Sequence, residues 1–350
     1  MDTPLLNEHR AVNAQLAEYH GCLLPEKFSD LNTEYRAAKE NAALFDTNWH
    51  AIFSLSGPDR VRYLNAIVSN DIKSVGEAYG TRALLLNPQG HILAELEVYA
   101  LEQKLLVRAH ASVRERTFAT LDKYIIMDDV TLEDLTDQLG SFAVEGPQAG
   151  TVIAQACGLA LEGFSEFANA ELPIDGVPSH LIRRSHFGGH GAEIIAPREH
   201  LALLWQSMHA RVHAAHGTSI GMTTLNALRI EAGIPWFPDD FNDSVIPHEA
   251  TLEATHVSFT KGCYTGQEIV ERVRSRGHVN RRRVLLTFDG ATAPAPGTKL
   301  RAADAEVGYV TSAAFSPASG KAIGMGYVRR EHNSPGNALE FESGTATVGS

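Results

Sequence analysis

The stretch Phe142-Ala143-Val144-Glu145-Gly146-Pro147 runs an apolar strand into a Gly-Pro break, and Val152, Ile153 and Ala156 then mark the face of a helix. The same succession stands 89 positions earlier: Trp49 to Ser56 alternates like a strand, Gly57-Pro58-Asp59 breaks it, and a helix carries Val61, Leu64, Ile67 and Val68. A strand, a Gly-Pro break and a helix met twice predict an internal duplication, two related α+β units that pack together. General pocket statistics place a ligand site between such halves.

Working outward, Arg82 to Asn87 and His91 to Tyr99 read as strands joined at Pro88-Gln89-Gly90, where proline and glycine suit a hairpin turn. Leu105 to Val107 adds a strand, and Ser112 through Tyr124 a helix with Val113, Phe118 and Leu121 inward. The order is ferredoxin-like in each half. It lacks the strict alternation of a doubly wound sheet, and no G-x-G-x-x-G occurs to cradle a dinucleotide. A second hairpin spans Ser179 to Ile195 around Gly188-Gly189-His190-Gly191, with Glu193 on its far side between apolar Ala192 and Ile194. By alternation alone, Glu193 reads as a solvent-facing strand residue.

Upstream, Thr3-Pro4 opens a helix expected to carry Leu5, Val12, Leu16 and Tyr19 and to end near Gly21. A second helix is expected from about Leu31 to Leu44, capped by Ser29 or Asp30. Downstream, a helix from about Thr223 to Ala232 stops at Gly233 and Pro235. Arg229 and Glu231 on it are two apart and must serve different partners. From Arg282 onward, short strands separated by Pro, Gly and Ser turns predict a small all-β domain. The expected division is an α+β body over 1–281 and a β-barrel over 282–350.

The bulk properties narrow the function. A net charge of −12 disfavours nucleic-acid backbones as partners. The N-terminus lacks the cationic start and apolar run of a secretory signal, and no apolar run is long enough to span a membrane, so a cytoplasmic protein is expected. Cys22, Cys157 and Cys263 are far apart, without a C-x-x-C pair. That argues against a disulfide framework, a zinc site or a self-contained iron–sulfur cluster, and no metal is expected. One basic run, Arg272, Arg274, Arg276, His278, Arg281, Arg282 and Arg283, reads either as a solvated region or as a site that captures an anionic tail or phosphate.

The remaining motif is Lys261-Gly262-Cys263-Tyr264-Thr265-Gly266-Gln267-Glu268. The two glycines permit a tight loop that holds Cys263 against a ligand, a partner or another backbone. Lys261 and a helix start near Gln267 would favour thiolate over thiol. A buried structural cysteine is the plainer alternative.

This octapeptide resembles the signature loop of YgfZ-type folate-binding proteins, relatives of the glycine-cleavage aminomethyltransferase (T-protein) linked to iron–sulfur enzyme maintenance. Other stretches resemble the T-protein family as well: the opening with Leu24-Pro25 and Ala43-Leu44-Phe45-Asp46, the segment Leu228-Arg229-Ile230-Glu231-Ala232-Gly233, and the barrel around Phe315-Ser316-Pro317. The resemblance implies a folate pocket formed by the two halves, with tetrahydrofolate held by Glu193 and Arg229. A carboxylate there can accept the paired donors of a pterin. It further implies Cys263 as the reactive or partner-contacting group, with Lys261, Gly262, Tyr264, Gly266, Gln267 and Glu268 shaping its loop. The implied partners are iron–sulfur enzymes or cluster carriers and, through them, tRNA modification. Where the transferase has an acidic pair, this chain has Ala94-Glu95. Ala94 cannot move a proton, and Glu95 is the one remaining candidate. The alternatives to an iron–sulfur role are a folate-dependent aminomethyltransferase or demethylase, and a non-catalytic partner-binding scaffold.

Overall fold

The structure, a computed structural model, describes residues 2–349, with Arg276 described by its backbone alone. The chain opens with α1 (Leu6–Ala11), the hairpin of β1 (Gln15–Tyr19) and β2 (Cys22–Lys27), α2 (Leu31–Glu40) and β3 (Ala43–Asp46). The expected single helix from Thr3 to Gly21 is therefore a short helix and a hairpin. Its turn is built by His20 (φ 48°) and Gly21 (φ 83°), two left-handed residues in succession, which is the geometry a tight hairpin needs and a helix forbids. Asp30 is the N-cap of α2 and accepts from the Thr33 amide, and the helix ends at Glu40, so Ala43 and Leu44 belong to a strand.

The duplicated halves follow. The first comprises β4 (His50–Ser56), α3 (Arg60–Ile67), β5 (Gly80–Leu86), β6 (Ile92–Ala100), β7 (Lys104–His110), α4 (Arg114–Lys123) and β8 (Thr131–Asp134). The second comprises β9 (Leu139–Glu145), α5 (Ala149–Cys157), β10 (Asn169–Ile174), β11 (Val177–Arg183), β12 (Gly191–Pro197), α6 (Arg198–Ala214) and β13 (Thr218–Ser219). Their sheets run β5-β6-β7-β4-β8 and β10-β11-β12-β9-β3-β13, the same order with β3 inserted beside β9. The breaks that announced the repeat share one steric cause. Gly57 (φ 97°) and Gly146 (φ 130°) sit where a Cβ would strike a backbone carbonyl, that of Asp129 in one case and Asn41 in the other.

Beyond the halves come α7 (Met222–Glu231), α8 (Glu253–His256) and α9 (Gln267–Arg276). The strands β14 (Arg281–Phe288), β15 (Lys299–Ala302), β16 (Ala305–Ser316), β17 (Lys321–Arg329), β18 (Ala338–Phe341) and β19 (Gly344–Val348) close into a barrel in the order β14-β17-β16-β15-β18-β19. Closure removes the unpaired edges, and Phe288, Leu300, Val310 and Val328 fill the interior. The expected α+β body with a C-terminal barrel is what the chain forms.

Contact density divides the chain into two compact units. The first holds Met1–Tyr63, Ile72–Thr81 and Leu96–Leu225, and the second Leu64–Asp71, Arg82–Glu95 and Asn226–Ser350. In the first unit α5, α6 and the sheet strands bury Phe142, Val144, Ile194, Leu204, Trp205 and Met208 together. Each such side chain stabilises by roughly 1.5–3 kcal/mol. No helix among the described residues is long and apolar enough to cross a membrane.

Candidate functional site

In the first unit Ala192 and Ile194 of β12 enter the main apolar core. Pleating then turns Glu193 to the other face of the sheet, where it is fully buried rather than solvent-facing. Its oxygens take a fork from Arg108 of β7, Nη2 to Oε1 at 2.6 Å and Nη1 to Oε2 at 2.8 Å, and His186 Nε2 lies 3.2 Å from Oε2. A carboxylate offers about four lone-pair sites, so Glu193 retains room at Oε1 for one more donor. The paired contact imagined for a pterin is made by the Arg108 guanidinium.

Arg108 faces Glu97 directly across the β6–β7 ladder, with Nη1 3.4 Å from Oε2. Glu97 also accepts from Tyr99 Oη at 2.8 Å and from Arg184 Nε at 2.9 Å. Two buried carboxylates thus face two buried guanidiniums, and Arg184 pairs in addition with the exposed Glu166 at 3.1 Å. Burial opposes the charge on Glu193, and Arg108 with His186 outweighs it, holding the carboxyl well below the usual range. Burial likewise opposes the Arg108 charge, and Glu193 and Glu97 reverse that, raising its pKa. Arg108, Glu97 and Arg184 were not singled out in the sequence. A charged residue inside each of two apolar strands, Leu-Leu-Val-Arg-Ala and Leu-Glu-Val-Tyr-Ala, was the available signal.

Glu145, from the stretch that reveals the duplication, builds the turn that brings His186 to this centre. Its carboxylate accepts from the amides of His186 (2.6 Å), Phe187 (3.2 Å) and Gly189 (2.7 Å) and from Ser185 Oγ (2.9 Å).

In the second unit Arg229 of α7 is 1% exposed. Nε donates to Asn226 Oδ1 at 2.9 Å, Nη1 donates to Ile234 O at 3.1 Å and to Asp240 Oδ2 at 2.5 Å, and the guanidinium lies 4.6 Å above the Trp236 ring. Nη2 makes no hydrogen bond among the described residues. Asp240 also accepts from Thr311 and Ser312 of β16, each at 2.6 Å. Glu231 goes to Ser316 Oγ, so the two charged residues of α7 do serve different partners. Ala94 is buried, whereas Glu95 Oε1 lies 2.9 Å from His256 Nε2 and 3.7 Å from Arg82 Nε. His256 Nδ1 in turn meets Thr255 Oγ1 at 2.7 Å. With Nε2 protonated, this chain of groups can hold a proton against Glu95 and return it.

The cysteine loop is anchored and its thiol is not covered. Lys261 Nζ donates to the carbonyls of Asn65, Val68 and Asn70, the last at 2.9 Å, and lies 5.0 Å over the Tyr264 ring. Read from sequence as a cation for the thiolate, Lys261 is the strut of the loop. Tyr264 is 7% exposed, and burial raises its pKa. Gly266 (φ 83°) caps α9 and packs so closely on the β5–β6 turn that a Cβ there would lie 2.7 Å from Asn87 O. Gly262 has open space around it. Gln267 and Glu268 begin α9, as expected, and Cys263 is exposed, which sets aside the buried structural cysteine.

The basic run divides, with Arg274, His278 and Arg282 lining one cavity. Arg281 pairs with Glu249 at 3.1 Å, Arg283 donates to Ala250 O at 3.0 Å, and Arg282 pairs with Glu253 at 2.5 Å. The Arg276 side chain lies outside the described residues.

Residues 5–261 match the family model of the GCVT N-terminal domain, and residues 281–348 match that of the glycine cleavage T-protein C-terminal barrel domain. The chain belongs to the glycine cleavage T-protein family. Among similar T-family proteins is an aminomethyltransferase of Saccharopolyspora erythraea, 31% identical over 98% of this chain and 94% of its own. Another, from Streptomyces coelicolor, is 29% identical over 95% and 91%. The crystal structure of glycine cleavage system aminomethyltransferase T from Bartonella henselae superposes with a TM-score of 0.91 at 24% identity, covering 100% of this chain and 97% of that one, which is a likeness of fold. Most of the cysteine loop, from Gly262 on, falls between the two T-family matches.

Proposed function

We propose that this chain binds tetrahydrofolate and acts in one-carbon transfer of the aminomethyltransferase type. The observation that carries the reading is Arg229, held by its own unit on three sides with the Nη2 edge left for a ligand acceptor. The names of relatives aligned over nearly the whole chain support it. Tetrahydrofolate, when bound, supplies the amine nitrogens that accept a one-carbon group. Arg229 would donate to a folate acceptor. Glu95, backed by His256, would hold or return the proton at the reacting nitrogen. Isothermal titration with tetrahydrofolate should give a Kd of about 10 µM or tighter, roughly −7 kcal/mol, weakened in Arg229→Lys. Absence of heat at millimolar folate overturns the reading. Release of a one-carbon unit from an aminomethyl or N-methyl donor should be lost in Glu95→Gln, with folate binding retained.

A second reading is favoured by one observation, the exposed Cys263 on an anchored loop that lies between the two family matches. In it the protein is of the YgfZ type and serves the assembly or repair of iron–sulfur enzymes, with those enzymes or cluster carriers as partners and tRNA modification downstream. Cys263→Ala should then fold normally and fail to complement cells lacking their own copy. Full complementation by that variant sinks this reading and leaves the transferase one intact.

A further inference from the structure

The second unit holds a cavity of about 440 Å³ that involves none of the residues assigned to folate or to proton movement. That volume is in the range of small-molecule sites. Three arginines reach it: Arg274 from α9, Arg282 from β14 and Arg330 just past β17. Glu253 is also in the wall and is engaged by Arg282 at 2.5 Å. Arg274 lies 4.3 Å over the Phe259 ring, with Glu271 3.6 Å away, and Arg330 has no ion pair among the described residues. The wall is therefore cationic in excess, within a chain of net charge −12. Phe259, Val273 and Val279 make its apolar part. His248, 8% exposed, lines it as well, and neither ring nitrogen has a hydrogen-bond partner among the described residues. Buried polar atoms are ordinarily satisfied.

We propose that this cavity binds an organic oxyanion, a carboxylate or a phosphate monoester on a flat apolar body. Arg330 and Arg274 take the acid group, because a guanidinium presents paired donors to either oxyanion. Phe259 and the two valines cover the body, and His248 hydrogen-bonds a polar atom on it. Glu253 holds Arg282 in place and repels a second anion from that side. The inference is independent of the folate reading, so failure of tetrahydrofolate to bind leaves it standing.

The test is calorimetric titration of the full chain at low salt with isophthalate, phenyl phosphate, inorganic phosphate and benzyl alcohol as probes. At least one aromatic anion should bind saturably, and the tighter of the two tells a carboxylate ligand from a phosphate one. Inorganic phosphate should bind at least about tenfold more weakly, and benzyl alcohol not measurably. Arg330→Gln and Arg274→Gln should each weaken the aromatic anion by about tenfold without moving Tm, since both side chains stand at the surface. No saturable binding of either aromatic anion overturns the proposal, as does equal binding of benzyl alcohol or affinity unchanged in both variants.

Discussion

The most demanding residue in the first unit is Glu193, a fully buried carboxylate whose charge is sustained by the Arg108 fork. Removing one member of a buried pair leaves the other charged and desolvated. Arg108→Met should therefore cost about 3–5 kcal/mol in urea unfolding, and Arg108→Met/Glu193→Met should recover most of it. A loss under about 1 kcal/mol in the single variant would mean that Glu193 is not ionised in the fold. The two glycines of the cysteine loop separate in the same way by their surroundings. Gly266→Ala places a Cβ against Asn87 O at a left-handed φ and should cost about 1–3 kcal/mol. Gly262→Ala meets nothing within 4 Å and should stay within about 0.5 kcal/mol, as the melting of each variant would report.

At the scale of elements, Glu145 shows how a strand end organises a neighbouring turn. It ends β9 and satisfies three amides and a hydroxyl between β11 and β12. Glu145→Ala would orphan donors worth about 1–3 kcal/mol each. The expected loss is at least about 3 kcal/mol, with faster amide exchange at His186, Phe187 and Gly189. Unchanged protection at those amides would refute the role. Several elements were readable: β4 with α3, β9 with α5, α7 and the barrel strands β14, β16 and β17 stand where periodicity and Gly-Pro breaks put them. One exception, β1–β2, shows the limit of periodicity. Leu5, Val12, Leu16 and Tyr19 fit a helical spacing, but the backbone preference of His20-Gly21 for a left-handed pair decides for a hairpin.

At the scale of the whole molecule, stability depends on groups that the fold keeps uncharged. His180 is 7% exposed, with Nε2 2.9 Å from Asn169 Oδ1. Burial, helped by Arg108 and Lys104, pushes its pKa from 6.5 down to about 3. The unfolded chain thus binds a proton that the folded one refuses between those values, and stability falls as pH drops through that window. His180 alone should contribute a slope of about 1.4 kcal/mol per pH unit, and His180→Gln should remove that share of the acid sensitivity seen by urea titration. Glu193 acts in a different window. Its lowered carboxyl contributes fully above the ordinary carboxylate pKa and is lost only as pH falls through its folded value.

Local rules determined a good deal from sequence alone. The duplication, the hairpins, the helix from Met222 and the β-rich tail follow from periodicity of two or 3.6 and from Gly and Pro backbone limits, all of which act over a few residues. The exposure of Cys263, the strut made by Lys261, and the buried partners of Glu193 and Arg229 were decided only by tertiary structure. Glu97 and Arg108 meet across a ladder, Glu193 finds Arg108 across 85 positions, and Arg229 shares Asp240 with β16. No periodicity encodes such pairings. They arise because a charge carried into a core must find an opposite charge there, and which one it finds depends on how sheets are ordered in space.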